Sequence, residues 1–126
     1  MTEPKEIVKI CNDLYSLEIM AEEYVYMIAL NSKGKILGAF EVSHGIVSAS
    51  ILNGRELMIR ALLVGAVGII LLHNHPSGVS EPSKQDFEVF SKVKGICQLM
   101  GIEFLDNIII GHDCFYSFRE AGLLEK

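Results

Sequence analysis

The stretch Gly68-Ile69-Ile70-Leu71-Leu72-His73-Asn74-His75 predicts the centre of the fold. Its four consecutive aliphatic residues lie between a glycine and a polar loop, which is typical of a strand buried on both faces. Strands of this kind occur in α/β proteins, where helices cover both sides of the sheet. The segment from His73 to Pro82 contains two of the three prolines of the chain and is expected to form a loop.

Patterns on either side of this strand predict the other elements. Apolar residues at helical spacing indicate an amphipathic helix within Pro4–Glu22. Two short apolar runs, Tyr24–Leu30 and Ile36–Val42, are joined by a polar turn and predict a β-hairpin. The remaining predictions are a short strand or extended loop at Ile46–Leu52, helices at Arg55–Val64, Ser83–Met100 and Arg119–Leu124, and strands at Phe104–Ile110 and Phe115–Phe118. This order favours an α/β sandwich around a mixed sheet.

Composition limits the classes of function. The chain has 126 residues, of which 50% are hydrophobic, and a formal net charge of -5. That length suits one domain, and the apolar fraction excludes a disordered linker. The acidic excess argues against strong binding of nucleic acid, which needs clustered Lys and Arg. The sequence shows no signal peptide, no membrane span and no CxxC pair, so we expect a cytoplasmic domain without a disulfide framework.

The loop after the buried strand carries a candidate metal site. His73 and His75 are separated by one residue, so both imidazoles point to the same side of the chain. Asp86 lies one turn into the next predicted helix and could close the site. Two His and one Asp leave the fourth position of a tetrahedral zinc ion for water, which is typical of a catalytic site. Ser83 and Asp86 also have capping-box spacing, and the two interpretations are compatible.

These residues carry a family resemblance. The pattern His73-Asn74-His75-Pro76 followed by Ser83-x-x-Asp86, with an upstream glutamate, resembles the JAMM (JAB1/MPN+) motif of zinc metalloproteases. The wider pattern is similar to the bacterial RadC family. It consists of Glu41-Val42-Ser43-x-Gly45, Arg55-Glu56, His73-Asn74-His75-Pro76-Ser77-Gly78, Pro82-Ser83-x-x-Asp86 and Leu105-Asp106-x-Ile108-Ile109-Ile110-Gly111.

The resemblance implies both a fold and a function. The implied fold is the cytidine-deaminase-like (JAB/MPN) arrangement, a three-layer α/β/α structure with a mixed sheet. His73, His75 and Asp86 would bind one zinc ion, Glu41 would be the general base, and Ser83 would stabilise the oxyanion. The implied activity is that of a zinc metallopeptidase or isopeptidase acting on a peptide or protein substrate.

Departures from the family pattern keep a second hypothesis open. The chain is expected to be a single RadC-like domain over residues 1–126, without the helix-hairpin-helix segment usual in RadC proteins. Asn53-Gly54 and Asn107 stand where the family usually has His-Pro and His. The alternative function is a metal-binding interaction module recruited to DNA-processing complexes, without turnover. A zinc nucleoside deaminase is disfavoured because the chain lacks His-x-Glu followed by Pro-Cys-x-x-Cys.

Overall fold

Eight helices and strands are present in a computed structural model, which describes residues 3–17, 20–45 and 47–124. In chain order they are helix α1 (Pro4–Tyr15), strands β1 (Tyr24–Leu30) and β2 (Ile36–His44), helix α2 (Gly54–Leu63), strand β3 (Gly68–Asn74), helix α3 (Lys84–Met100), and strands β4 (Glu103–Ile110) and β5 (Phe115–Ser117). Within these described residues, no helix is long and apolar enough to cross a membrane.

The strands form one five-stranded sheet in the order β2-β1-β3-β4-β5. Strands β3 and β4 are parallel, and every other neighbouring pair is antiparallel. All seven residues of the central strand β3 are buried, as the continuous aliphatic run predicts. The predicted hairpin is confirmed because β1 and β2 pair directly in antiparallel fashion.

Helices cover both faces of the sheet, so the predicted three-layer arrangement is confirmed. Alternate strand residues point to opposite faces and enter two separate clusters. One cluster, on what we call the α2/α3 side, joins strand residues to those two helices: Val25, Met27, Ile69, Leu71, Ile109, Leu57, Ala61, Val89 and Val93. The other, on the α1 side, joins strand residues to α1: Tyr26, Ile28, Ile70, Leu72, Ile108, Ile110, Ile7 and Cys11.

One predicted helix is shorter than expected, and another is replaced by turns. Helix α1 ends at Tyr15 because Ser16 adopts a left-handed conformation (φ 54°) that caps it, and Glu18 and Ile19 lie outside the described residues. The predicted helix at Arg119–Leu124 is wrong, since these residues form turns. The buried carboxylate of Asp106 accepts hydrogen bonds from the Arg119 backbone N–H (3.0 Å) and from the Ser117 hydroxyl (2.6 Å), which fixes this turn.

The segment between β2 and α2 contains turns and no strand over residues 47–52, whereas Ile46 lies outside the described part of the chain. Lys92 of α3 explains this shape. Its ammonium group donates hydrogen bonds to the carbonyl oxygens of Ala49 (2.5 Å) and Leu52 (2.6 Å). These carbonyls bind a side chain, so the segment crosses to α2 as a loop.

Two buried asparagines differ in how their side-chain amides are satisfied. Asn107 of β4 is 1% exposed, and neither its Nδ2 nor its Oδ1 has a hydrogen-bond partner. Asn74 is also 1% exposed, but it donates a hydrogen bond to the Glu22 carbonyl and accepts one from the Tyr24 N–H. An unpaired buried amide destabilises a fold, whereas a paired one does not.

Replacing Asn107 by Leu, a side chain of similar size, should therefore raise the free energy of unfolding by about 1–2 kcal/mol. Asn74→Leu is the matched control and should lower it by about 1–3 kcal/mol, because two backbone groups lose their partner. Urea denaturation of the metal-free proteins measures both changes. Destabilisation by Asn107→Leu would contradict this account of Asn107.

Candidate metal centre

The two histidines lie at the carboxyl end of β3. His73 lies on β3 opposite Val25 of β1, and its side chain is 3% exposed on the α2/α3 side. His75 follows just after the strand, and its backbone N–H donates to the Ile110 carbonyl at the end of the parallel neighbour β4. The two Nε2 atoms lie 3.3 Å apart. The predicted convergence of the imidazoles is therefore present in the structure.

Helix α3 supplies the carboxylate. Ser83 is the N-cap, its hydroxyl accepts a hydrogen bond from the Asp86 N–H (3.2 Å), and Asp86 Oδ2 accepts one from the Ser83 N–H (2.7 Å). This capping box holds the buried Asp86 side chain toward the histidines. Asp86 Oδ1 lies 2.9 Å from His73 Nε2, and Oδ2 lies 3.1 Å from His75 Nε2. One carboxylate therefore both caps the helix and contacts both imidazoles.

This donor set could hold a metal ion, and its spacing can be compared with that of a zinc site. The ligand atoms of His73, His75 and Asp86 all lie within 4.8 Å of one another, and they form a group that could hold a metal ion. Zn–N bonds of 2.0–2.1 Å in a tetrahedron place two nitrogens about 3.3–3.4 Å apart. The Nε2–Nε2 distance of 3.3 Å matches that spacing.

The loop that carries His75 is fixed by backbone contacts. His75 Nδ1 donates to the Val79 carbonyl (2.8 Å), so in the neutral imidazole Nε2 is the nitrogen with the lone pair that a metal needs. Gly78 has φ +87°, and a Cβ there would lie 2.5 Å from His112 Cδ2. Glycine is therefore required where this loop contacts the turn between β4 and β5.

The ionisation of the cluster follows from these contacts. Burial alone would raise the pKa of Asp86, but the hydrogen bonds with His73 and His75 outweigh burial and bring that pKa far below its ordinary value. The hydrogen bond with Asp86 raises the pKa of His75 above its ordinary value of 6.5, and the charge of Glu23 adds to the rise. The carboxylate is therefore ionised at neutral pH and ready to bind a cation.

The other two predicted site residues lie in different positions. Ser83 is exposed beside Asp86, at the start of α3. Glu41 lies on β2 opposite Tyr26, a residue of the cluster on the α1 side, and its charge helps to raise the pKa of Tyr26 after the effect of burial. Its Oε2 is 3.2 Å from His44 Nδ1. The structure therefore brings Ser83 to the cluster and places the Glu41 carboxylate on His44.

Two contributors were missed by the sequence analysis. Asn74, between the histidines, points to the opposite side and binds backbone groups of Glu22 and Tyr24. The alternation of a strand could have indicated this orientation. Glu23 is close enough to act on the charge of His75. Finding it needs the pairing of β1 with β3, which no local pattern reveals.

The remaining histidines and the cysteines lie outside the His73–His75–Asp86 group. His44 and His112 are exposed, and neither belongs to the His73–His75–Asp86 group. Cys97 is 1% exposed in the core, and burial raises the pKa of its thiol to about 11. Cys11, Cys97 and Cys114 are all free thiols.

Fold and site together define an α/β domain of the JAB type with a His-His-Asp group that could bind a metal. The model of the RadC-like JAB domain matches residues 1–123, and the chain belongs to this family.

Several similar proteins carry the name UPF0758. A UPF0758 protein of Clostridium acetobutylicum is 37% identical over 124 residues, which cover 98% of this chain and 53% of that protein. A UPF0758 protein of Clostridium tetani is 35% identical over 124 residues (98% and 54%), and one of Clostridium kluyveri is 38% identical over 105 residues (83% and 46%). The chain spans about half the length of these curated relatives.

Zinc affinity should fall as the pH drops through the pKa of His75. That pKa is raised, so His75 holds a proton at pH values where an ordinary histidine is neutral, and a metal must displace this proton. The dissociation constant should rise by about tenfold per pH unit below the pKa and level off above it. Competition with a chromophoric chelator between about pH 5.5 and 8.5 measures the profile.

The exposed His112 provides the control, because it lies outside the ligand group. His112→Ala should keep the wild-type profile, whereas His75→Ala should lower the affinity at every pH. A wild-type affinity that does not change with pH would contradict the role of His75 as a ligand.

Proposed function

We propose that this chain is a zinc-dependent hydrolase that cleaves peptide or isopeptide bonds. The convergence of His73 Nε2, His75 Nε2 and the Asp86 carboxylate at the end of β3 carries the proposal. Three protein ligands leave one position of a tetrahedral zinc ion for water or substrate, as in catalytic sites. The family supports the proposal because JAB-domain proteins include metalloproteases.

Each residue of the site has a defined task in this proposal. A zinc ion, when bound, supplies a Lewis acid that polarises the scissile carbonyl and acidifies water. The Val79 carbonyl keeps His75 in the tautomer that presents Nε2. Ser83 Oγ accepts the Asp86 N–H, so its own hydrogen is available to donate to the carbonyl oxygen as that oxygen gains charge. Glu41 accepts the proton of the attacking water and passes it to the leaving amine.

For this role, the Glu41 carboxylate must leave His44. The two side chains are 45% and 56% exposed, and exposed ion pairs contribute only about 0–1 kcal/mol. Glu41 also lies on the edge strand β2, where the pairing with β1 shifts register between Val25 and Tyr26. The ion pair with His44 is therefore a small obstacle, but Glu41 pairs with Tyr26 of the cluster on the α1 side, so its carboxylate must also pass around the β2 edge to reach the ligands.

The second candidate is a metal-binding interaction module without turnover. One observation favours it: the Glu41 carboxylate is bound to His44 and is not part of the His73–His75–Asp86 group. A binding module needs the three ligands and no proton acceptor. The two candidates therefore make the same prediction for zinc and opposite predictions for hydrolysis.

Glu41→Gln should keep the zinc affinity of the wild type and lower the hydrolysis rate by about 10²–10⁴-fold, because the variant loses only the proton acceptor. The substrates are fluorogenic peptides and peptides joined through a lysine Nε isopeptide bond. Zinc-loaded protein is compared with chelator-treated protein, and zinc affinity is measured on the same samples.

Two further variants separate the causes. His75→Ala should lose zinc affinity and activity together, since it removes a ligand. His44→Ala should keep both, since it removes only the resting partner of Glu41. An absence of hydrolysis in zinc-loaded wild type across both substrate classes would favour the binding module, and loss of zinc in Glu41→Gln would overturn the proposed role of Glu41.

A further inference from the structure

We infer that Val79 and Phe87 form an apolar subsite beside the metal centre. This subsite selects a large apolar side chain on the acyl side of the scissile amide bond, that is, on the residue that supplies the carbonyl group. The inference rests on the proposed function, because it names the substrate class that the same site prefers. It assigns a role to two side chains outside the His73–His75–Asp86 group.

Both residues belong to backbone that holds a candidate ligand. Val79 is exposed, and its carbonyl accepts the hydrogen bond from His75 Nδ1 (2.8 Å). Phe87 is also exposed and directly follows Asp86 in the first turn of α3. Single exposed apolar residues are common on protein surfaces, whereas apolar side chains around a few placed polar groups are typical of a ligand-binding site.

Contacts place both residues on the β5 side of the metal centre. The Gly78 carbonyl, next to Val79, accepts a hydrogen bond from the His112 N–H in the turn between β4 and β5 (2.9 Å). The centre of the Phe87 ring lies 5.3 Å from that of Phe118, which directly follows β5. Strand β2, which carries the proposed base, forms the opposite edge of the sheet. The subsite therefore lies away from the strand of the base.

Packing orders the Phe87 ring before a substrate binds. Its neighbour Phe118 is fully buried and also contacts the rings of Phe90 (4.6 Å) and Tyr116 (5.4 Å). Phe87 therefore packs against a fixed aromatic cluster while part of its own side chain remains exposed. A preformed apolar surface loses little conformational entropy when a ligand covers it.

The position of Ser83 determines which substrate residue reaches the subsite. The Phe87 N–H donates to the Ser83 carbonyl (3.2 Å), so the two residues lie about one helical turn apart along α3. In the proposed function, the Ser83 hydroxyl donates to the carbonyl oxygen of the scissile bond. The side chain on the carbon next to that carbonyl is therefore the one that comes within reach of Phe87.

The size of the substrate side chain determines the preference. A leucine side chain that covers Val79 and Phe87 removes apolar surface of both partners from water, which favours binding in proportion to the area covered. An alanine side chain is too short to cover both residues. The subsite therefore favours leucine over alanine at the acyl position.

The test measures the binding of N-acetyl-leucine hydroxamate and N-acetyl-alanine hydroxamate to the zinc-loaded full chain by titration calorimetry. The hydroxamate group binds zinc and is not cleaved, so the side chain is compared at the acyl position without turnover. The wild type should bind the leucine compound about tenfold more tightly than the alanine compound. In Phe87→Ala this ratio should fall below about threefold, because the main apolar surface is lost.

Leu99→Ala is the matched control, since it removes an exposed apolar side chain near the far end of α3, and it should keep the wild-type ratio. Zinc affinity should be unchanged in both variants, because neither residue belongs to the ligand group. Phe87→Leu keeps an apolar surface and should retain most of the preference, which separates the subsite from any loss of folding in Phe87→Ala.

Equal binding of the two compounds by the wild type, or a wild-type ratio in Phe87→Ala, would overturn the inference and leave the proposed hydrolysis untouched. A failure of both compounds to bind the zinc-loaded protein is a different result. It would contradict the open zinc position on which the proposed function also rests.

Discussion

The contact between Asp86 and the two histidines is the constraint on which the site depends. It joins the carboxyl end of β3 to the first turn of α3. Helix α3 is the crossover between β3 and its parallel neighbour β4. The carboxylate is 7% exposed and also accepts the Ser83 N–H at the start of the helix. A negative charge is stabilised there by the partial positive charge of the helix N-terminus. Without these donors, an ionised carboxylate would not be stable at this depth.

This constraint limits the conformations of the loop between β3 and α3. Residues 75–83 must leave β3 with the imidazoles aligned and enter α3 with Ser83 in its capping conformation. Pro76 and Pro82 limit the backbone of the loop, and Gly78 allows it to contact the β4–β5 turn closely. The site therefore lies outside the carboxyl ends of β3 and β4, where open α/β sheets commonly bind ligands.

Local patterns predicted what depends on neighbours in sequence. Local patterns correctly indicated the buried strand at Ile69–Leu72, the His-x-His spacing and the cap at Ser83. They also indicated the end of α3 before Gly101, which has φ 71°. They did not indicate register. One extra residue in β4 near Leu105 shifts the alternation, so that Phe104 and Ile108 enter different clusters. A similar shift in β2 decides the side that Glu41 occupies, and the bonds to Asp106 turn the predicted last helix into turns.

Strand alternation also explains how one short segment serves both faces of the sheet. His73 points to the α2/α3 side as a candidate ligand, while Asn74 points away and binds the backbone that leads into β1. That backbone leads to Glu23, whose charge contributes to the raised pKa of His75 after the larger effect of Asp86. The Glu41 backbone is fixed by its pairing with Tyr26, whereas the Glu41 carboxylate makes an exposed contact with His44. The candidate ligand His73 thus lies on the fully buried central strand β3, whereas Glu41 lies on the edge strand β2, where its carboxylate makes only an exposed ion pair.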